Sequence, residues 1–400
     1  MTFIPLPKTS AGGVDLSGAT LGEGDLTADA WGVQKVSFPR SILHRLFTFD
    51  IPSSHWFMYE NGTQVYTSTR IVSSGGAAVI TADATKTVTL LESRECPRYQ
   101  PNRGHLYSTA LWCPSKTNDG VRDWGLFTTQ NGIFFRLKAD GKLYAVLRSG
   151  GSETLEQEIT TTGVASFDVQ KGNIYDIQFQ WRGVGNYKFF INNVLVHTLS
   201  LLGTLTALSM QNPALPAAYK CTRTTQDVSM SIGCVDITSE NGMTDTEVYE
   251  SAYSSAVSVS TDTPVIVVKI PLLIGSVTNT RTVTLARISF NCSKKAVFKV
   301  GATRTAGDIT GATYVALGNG SYVECDSTDM SGSAVRATSV TMANLHKITS
   351  VPVEAAVPQM VDNPHRGRIE FPLVRGDYLV VTCTAATATA DVVVEWGEQV

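Results

Sequence analysis

Residues 173–199 constrain the fold more than any other part of the sequence. They read NIYDIQFQWRGVGNYKFFINNVLVHTL, three short runs in which apolar and polar residues alternate. Residues 183–186 and 192–193, rich in Gly and Asn, separate the runs, and these residue types favour tight turns. Alternation with a period of two indicates strands that bury one face. We therefore expect three consecutive strands, with Tyr175 on the buried face and Asp176 on the opposite one.

Similar alternating runs recur along most of the 400 residues, and the composition suits them. Charged residues make up only 17% of the chain, below the usual ~25%, and Thr, Ser, Gly and Val take their place.

The net charge of −3 offers no basic stripe for nucleic acid. The sequence contains no apolar run of the ~20 residues that a membrane helix needs. Pro5 and Pro7 interrupt the apolar patch near the start, so we expect no secretory leader and synthesis in the cytoplasm.

The cysteines give no sign of a metal or redox site. There are seven, an odd number, and no two form a C-x-x-C pair, the spacing that zinc ribbons and thioredoxin-like sites use. We expect reduced, buried side chains. A disulfide between Cys221 and Cys234 is an alternative, because a hairpin could bring the two together.

The spacing of strands and turns predicts an all-β chain in four parts. Residues 1–30 form an extended N-terminal arm, residues 31–240 a first sandwich, residues 241–262 a polar linker, and residues 263–400 a smaller C-terminal β-sandwich. One short helical turn is expected in RSILHRLFTFDIP, ended by Pro52.

The first sandwich resembles the concanavalin/laminin-G type of jelly-roll lectin fold. The resemblance rests on the order GLF, NGIFFRL, GKLYAVLRSGG, YDIQFQW and YKFFINNVLVHT, and covers about 150 residues. It implies a concanavalin-like jelly-roll sandwich. Lectins of this type often hold calcium with acidic residues, and no such set of ligands can be matched here, so we expect no metal and no cofactor.

The whole chain also resembles virion structural proteins of tailed bacteriophages. The segments WGVQKVSFPRSILHRLFTFDIP and ESRECPRYQPNRGHLYSTALW, with a Thr/Ser/Ala/Val/Gly-rich C-terminal half, carry this second resemblance. It implies a non-enzymatic tail, baseplate or capsid-surface component, located in the virion. Its expected partners are other virion proteins and further copies of itself, because open sheet edges pair readily. The alternatives are a carbohydrate-binding adhesin that recognises a host-surface glycan, and a glycoside hydrolase on a jelly-roll fold.

Two arginine-rich segments are candidate interface or ligand loops. Arg fits carboxylates with a planar fork and stacks on aromatic rings. Each segment has a simpler interpretation as well, an internal ion-pair network for the first and a solvated turn for the second. The candidates are Arg94, Arg98, Tyr99 and Arg103 in the first segment, and Arg366 and Arg368 in the second.

Motifs for a nucleophile, a phosphate loop or a zinc protease are absent from the sequence. Paired carboxylates can hydrolyse glycosides when they are held at the right separation, and three pairs are expected in loops, where solvation is the simpler interpretation. Trp124, beside Asp123 and Gly125, is a candidate surface platform for a sugar ring. The three carboxylate pairs expected in loops are Asp119/Asp123, Asp326/Asp329 and Glu240/Asp245.

Overall fold

The computed structural model describes residues 40–100, 103–115, 120–201, 207–239, 247–275, 277–317, 321–328, 335, 337–362 and 372–399. The chain forms two compact units. Unit 1 comprises Met1–Ser93 and Tyr99–Met243, and unit 2 comprises Arg94–Arg98 and Thr244–Val400. The prediction of an all-β chain is confirmed. The predicted arm, residues 1–30, lies outside the described residues.

The strands of unit 1 form two antiparallel sheets. Sheet 1 has the order β14-β13-β12-β7-β16-β5-β4, with β1 also paired to β16, and sheet 2 has the order β11-β10-β9-β8-β15-β6-β2-β3. In the described residues the strands are β1 (Arg40–Leu46), β2 (Trp56–Glu60), β3 (Thr63–Val65), β4 (Ile71–Ser74), β5 (Ala77–Ala82), β6 (Val88–Ser93), β7 (His105–Trp112), β8 (Gly120–Phe127), β9 (Gly132–Leu137), β10 (Leu143–Ser149), β11 (Ser152–Glu158), β12 (Asn173–Phe179), β13 (Tyr187–Ile191), β14 (Val194–Leu199), β15 (Ala217–Arg223) and β16 (Val228–Ser239).

Alternation along the strands builds the core between these two sheets. Trp124 of β8 and Phe135 of β9 stack with ring centroids 5.8 Å apart, and Tyr175 of β12 meets both rings edge-on at 5.0 and 5.3 Å. Phe189 of β13 adds a further edge contact to Phe135 at 4.9 Å. The neighbours of these aromatic residues in sequence therefore point away from the core, which is how charged side chains reach the outer faces.

Unit 2 also consists of antiparallel sheets. Sheet 3 has the order β17-β31-β21-β28, with β29 paired to β21, and sheet 4 has the order β24-β25-β18-β30-β22-β27. Two small ladders, β19-β20 and β23-β26, and short 3-10 helices at Ala306–Asp308 and Met342–Asn344 complete the described elements. The strands are β17 (Glu247–Val259), β18 (Thr263–Lys269), β19 (Leu273–Ile274), β20 (Val277–Thr278), β21 (Val283–Cys292), β22 (Ala296–Thr303), β23 (Ile309–Thr310), β24 (Val315–Ala316), β25 (Glu324–Asp326), β26 (Ser339–Val340), β27 (His346–Val353), β28 (Gln359–Asp362), β29 (Pro372–Leu373), β30 (Tyr378–Ala385) and β31 (Ala388–Gln399).

Two local expectations differ from the structure. The segment with an expected helical turn forms β1, because Leu43 is buried and the strand pairs along β16 from Arg40 to Leu46. Much of the expected linker forms β17, which pairs with β31. In both cases pairing with a strand distant in sequence outweighs the local pattern. No helix among the described residues is long and apolar enough to span a membrane.

Candidate functional site

The outer face of sheet 2 carries a connected group of charged side chains. Asp123 of β8 lies directly opposite Arg136 of β9. Their neighbours Trp124 and Phe135 point into the core, so Asp123 and Arg136 must face outward. The same alternation that fills the core thus sets a carboxylate beside a guanidinium on the surface of the sheet.

A β-bulge brings two further carboxylates onto this face. Glu156 pairs with Val146 and Glu153 pairs with Arg148, with a register shift between Leu147 and Arg148. Glu153 and Glu156 are three residues apart and would face opposite sides of a regular strand. The extra residue, Thr154, places both on the outer face, and bulges commonly redirect side chains in this way.

Arg136 binds all three carboxylates. Its Nε and Nη2 donate to the two oxygens of Asp123 at 2.8 and 3.1 Å. Nη1 and Nη2 donate to the two oxygens of Glu153 at 2.6 and 2.7 Å, and Nη1 also donates to Oε1 of Glu156 at 3.1 Å. Glu153 and Glu156 therefore contact the same nitrogen atom. We call Asp123, Arg136, Lys138, Arg148, Glu153 and Glu156 the Arg136 cluster.

Two more cations complete the cluster. Arg148 Nη2 donates to Glu153 at 3.0 Å, and Lys138 Nζ donates to Glu156 at 2.6 Å. The guanidinium groups lie over aromatic rings, Arg136 at 5.4 Å and Arg148 at 4.9 Å from the centroid of Phe134. This ring belongs to an apolar layer of four buried residues beneath the charges, namely Phe127, Phe134, Val146 and Ala218.

The charges of the cluster keep the carboxylate of Glu153 ionised. Hydrogen bonds from Arg136 lower the pKa of Glu153 to about 2, against the opposing effect of burial. Burial disfavours the charge on Arg136, but hydrogen bonds to Asp123 and Glu153 outweigh it and raise the Arg136 pKa. The side chain of Glu153 is 33% exposed and that of Glu156 is 27% exposed, whereas that of Asp123 is 3% exposed. Only the two glutamates of these three acidic residues can readily touch a ligand.

The arginine-rich segment expected to be one loop is divided between the two units. Arg94 and Arg98 belong to unit 2, and Tyr99 belongs to unit 1. Arg94 is buried and forms an ion pair with Asp377, which also lies 3.6 Å from Arg304. The interpretation as an internal ion pair therefore describes Arg94 better than a ligand loop does. Arg98 is half-buried.

Tyr99 lies in the core of unit 1. Its ring stacks on Phe179 at 6.3 Å and meets Trp181 edge-on at 5.7 Å, and its hydroxyl accepts a hydrogen bond from the backbone N–H of Arg182 at 3.2 Å. Arg103 is half-buried. Burial of Tyr99 leaves little of its side chain for a ligand.

Of the remaining candidates that the structure describes, Asp123 alone belongs to the Arg136 cluster. Trp124 is fully buried, so it does not form a surface platform. Asp123 lies in β8 rather than in a loop, and Asp326 is buried in β25. The other candidates, Asp119, Glu240, Asp245, Asp329, Arg366 and Arg368, lie outside the described residues.

The cysteines are all free thiols, and Cys234 alone of the seven is partly exposed. The alternative disulfide between Cys221 and Cys234 does not form, and the Cys221 thiol instead donates to the carbonyl of Ile80 at 3.6 Å. Within the part of the chain that the structure describes, no group of three or more His, Cys, Asp or Glu side chains is placed to hold a metal ion.

Sequence reasoning missed Arg136, Arg148, Glu153 and Glu156. The available signal was charge at alternate positions of neighbouring strands, Arg136 and Lys138 in one and the acidic residues of SETLEQE in another. Opposite charges on adjacent strands favour pairing. The bulge at Thr154 hid the pattern, because it breaks the alternation at the point where the glutamates meet Arg136.

No protein-family model matches the chain, and no curated protein sequence matches it. Solved structures match about half of it. One is an endo-1,3-β-glucanase from Streptomyces sioyaensis, with 13% identity, 51% of this chain and 97% of that chain covered, and a TM-score of 0.41. Another is a β-glucanase from Bacillus licheniformis, with 13% identity, coverage of 49% and 97%, and a TM-score of 0.35. A third comes from work on endo-acting O-glycanases of the human gut microbiota that initiate mucin breakdown, with 10% identity, coverage of 50% and 100%, and a TM-score of 0.38.

The two antiparallel sheets of unit 1 form the predicted concanavalin-like jelly-roll sandwich. Two functional expectations need correction. The expectation of a non-enzymatic structural component of a phage virion is contradicted, because the matched structures are glucanases and an O-glycanase. The expectation that the chain is not an enzyme is contradicted by the same matches. The expected partners and location are not tested and stay predictions.

Proposed function

We propose that unit 1 is a glycoside hydrolase whose active site is the Arg136 cluster. The observation that carries this proposal is the contact of Glu153 and Glu156 with one nitrogen of Arg136, at 2.6 and 3.1 Å. Glycoside hydrolysis generally needs two carboxyl groups on either side of the scissile bond. Both glutamates are partly exposed, so a glycan lying across the outer face of sheet 2 can reach them.

The environment of Glu153 suits the role of nucleophile. A pKa of about 2 keeps this carboxylate ionised throughout the neutral range. An ionised carboxylate can attack the anomeric carbon and form a covalent glycosyl-enzyme intermediate. Arg136 and Arg148 hold both oxygens of Glu153 and thereby fix the direction of attack.

Glu156 takes the complementary role of general acid and base. As a carboxylic acid it would protonate the leaving oxygen, and as a carboxylate it would then activate the water that releases the sugar. Contact with one nitrogen keeps the two carboxylates close together, which favours the retaining mechanism, whose carboxyl groups lie about 5–5.5 Å apart. Asp123 is a positioning residue, because it is buried and holds Arg136 in place.

The direct test is hydrolysis by the purified full chain. We would incubate it with β-1,3-glucan, mixed-linkage β-glucan and mucin O-glycans, and measure newly formed reducing ends. Product from at least one substrate is expected, with a loss of about 100-fold or more for E153Q and E156Q.

E158Q is the matched control. Glu158 lies on the same strand and pairs with Lys142 at 2.7 Å rather than with Arg136, so its removal should leave the rate nearly unchanged. Failure to cleave any of the three substrates, including binding without cleavage, would contradict the proposal. Full activity of E153Q would contradict the assigned nucleophile.

A further inference from the structure

Two cysteines of unit 2 lie on opposite sheets and face the same core. Cys292 ends β21 in sheet 3, and Cys383 lies within β30 in sheet 4. Both are fully buried members of one hydrophobic cluster.

The strand registers bring the two thiols together. Cys383 is directly opposite Phe298 of β22. Phe298 meets the ring of Phe290 across the core at 4.8 Å, and Phe290 precedes Cys292 by two residues, on the same face of β21. The two side chains are accordingly neighbours in this core, and Cys292 adds to the effect of burial in raising the pKa of Cys383.

We propose that Cys292 and Cys383 form an inter-sheet disulfide when the chain folds in the presence of a small-molecule disulfide such as oxidised glutathione. The thiolate of one cysteine attacks oxidised glutathione, forms a mixed disulfide and releases one glutathione. The second cysteine then attacks the protein sulfur of that mixed disulfide and releases the other. Two protein thiols are oxidised, one glutathione disulfide is reduced to two thiols, and no other reactant is needed.

The bond should form during folding rather than afterwards. In the folded chain burial raises the pKa of Cys383 to about 12, so almost none of it is the reactive thiolate. Neither sulfur is exposed to a reagent in solution. While the chain is still open both thiols can react, and the packing of Phe290 on Phe298 then selects this pair from the seven cysteines.

The test is to refold the full-length chain in a glutathione redox buffer, alkylate the remaining thiols, and map peptides by mass spectrometry without reduction. We expect one cross-linked peptide joining Cys292 to Cys383, with the other five cysteines alkylated. The oxidised chain should also melt at a higher temperature than the reduced one, because the cross-link restricts the unfolded chain.

Two variants separate the specific bond from a general effect of oxidation. C383A should lose both the cross-linked peptide and the difference in melting temperature between the two buffers. C221A removes a buried cysteine of unit 1 and should keep both. Alkylation of all seven cysteines after oxidative refolding, or a cross-link from Cys292 to another cysteine, would overturn the proposal.

Discussion

Glu153 and Glu156 bind the same nitrogen of Arg136 although they are three residues apart on one strand. A regular strand would send them to opposite faces. The bulge at Thr154 makes them neighbours, and the ionisation of the Arg136 cluster depends on this local irregularity.

Replacement of Arg136 should therefore change the titration of Glu153. R136M removes the hydrogen bonds that lower the pKa of Glu153, so we expect this pKa to rise from about 2 towards the ordinary 4.5. Carbon-detected NMR of the Glu153 carboxyl group during a pH titration measures it. K142M, which removes the partner of Glu158 on the same strand, is the control and should leave the Glu153 pKa unchanged. A Glu153 pKa that stays near 2 in R136M would show that Arg136 is not the cause.

The same shift predicts a contribution of Glu153 to stability that depends on pH. The folded-state pKa of about 2 lies below the ordinary glutamate value of 4.5, so the stabilisation is present above pH 4.5 and is lost as the pH falls towards 2. The difference in unfolding free energy between the wild type and E153Q should accordingly shrink over this window. Urea unfolding of both proteins at several pH values gives the difference. An unchanged difference down to pH 2 would contradict the prediction.

Replacement of Trp124 should destabilise unit 1 strongly. Its ring is fully buried between Phe135 and Tyr175, and truncation of a buried Trp to Ala costs about 3–5 kcal/mol. Chemical denaturation of W124A measures this loss, with W124F as a milder variant that keeps a ring. A loss below about 1 kcal/mol would instead fit an exposed side chain.

In unit 2 the ion pair between Arg94 and Asp377 should be sensitive to removal of one partner. R94M leaves a buried carboxylate without its main cation, which costs about 3–5 kcal/mol in comparable cases. Burial already raises the pKa of Asp377, against the opposing effect of Arg94. Without Arg94, Asp377 can take up a proton at acidic pH and so lose its unpaired charge. The loss of unfolding free energy in R94M should therefore be larger at neutral pH than at acidic pH. Urea unfolding at both pH values checks this. The double variant R94M/D377N should recover part of the loss, and a double variant no more stable than R94M would contradict the explanation.

Gly125 should tolerate no side chain, because the backbone of β9 passes close to it. A Cβ atom there would lie 2.6 Å from the carbonyl oxygen of Ile133 and 2.7 Å from Cα of Phe134, and the φ of +153° is also unfavourable for other residues. We expect G125A to cost about 1–3 kcal/mol through overpacking, measured by thermal or urea unfolding. Gly163 has open space at the corresponding position, so G163A is the control and should change stability little.

Much of the fold could be predicted from the sequence, because strand alternation and turn residues are local signals. The hairpin with Asn61 and Gly62 at its tip forms as its sequence indicates, with both residues at positive φ. The alternation of apolar and polar residues also predicts that Tyr175 and Asp176 lie on opposite faces of β12. In contrast, β1 forms through pairing with β16, nearly two hundred residues away, which no local pattern shows.

The candidate site was harder to predict, because its residues come together through register. The sequence indicates Asp123 only as one of two neighbouring carboxylates, with Asp119, whereas in the structure Asp123 binds Arg136. Trp124 was misplaced because the sequence does not show which face of β8 is buried. Neither the bulge at Thr154 nor the contact of Glu153 and Glu156 with one atom can be derived from spacing alone.

The assignment of residues 94–98 to unit 2 has a consequence for how this protein can be cut and recombined. The second unit is discontinuous in the gene, since five of its codons are embedded within the region that encodes the first. A fragment that begins at Thr244 would lack Arg94, and fusing such a fragment to another protein would transfer an incomplete module. Any attempt to produce the second unit separately should therefore supply the missing pentapeptide, by circular permutation or as an added peptide.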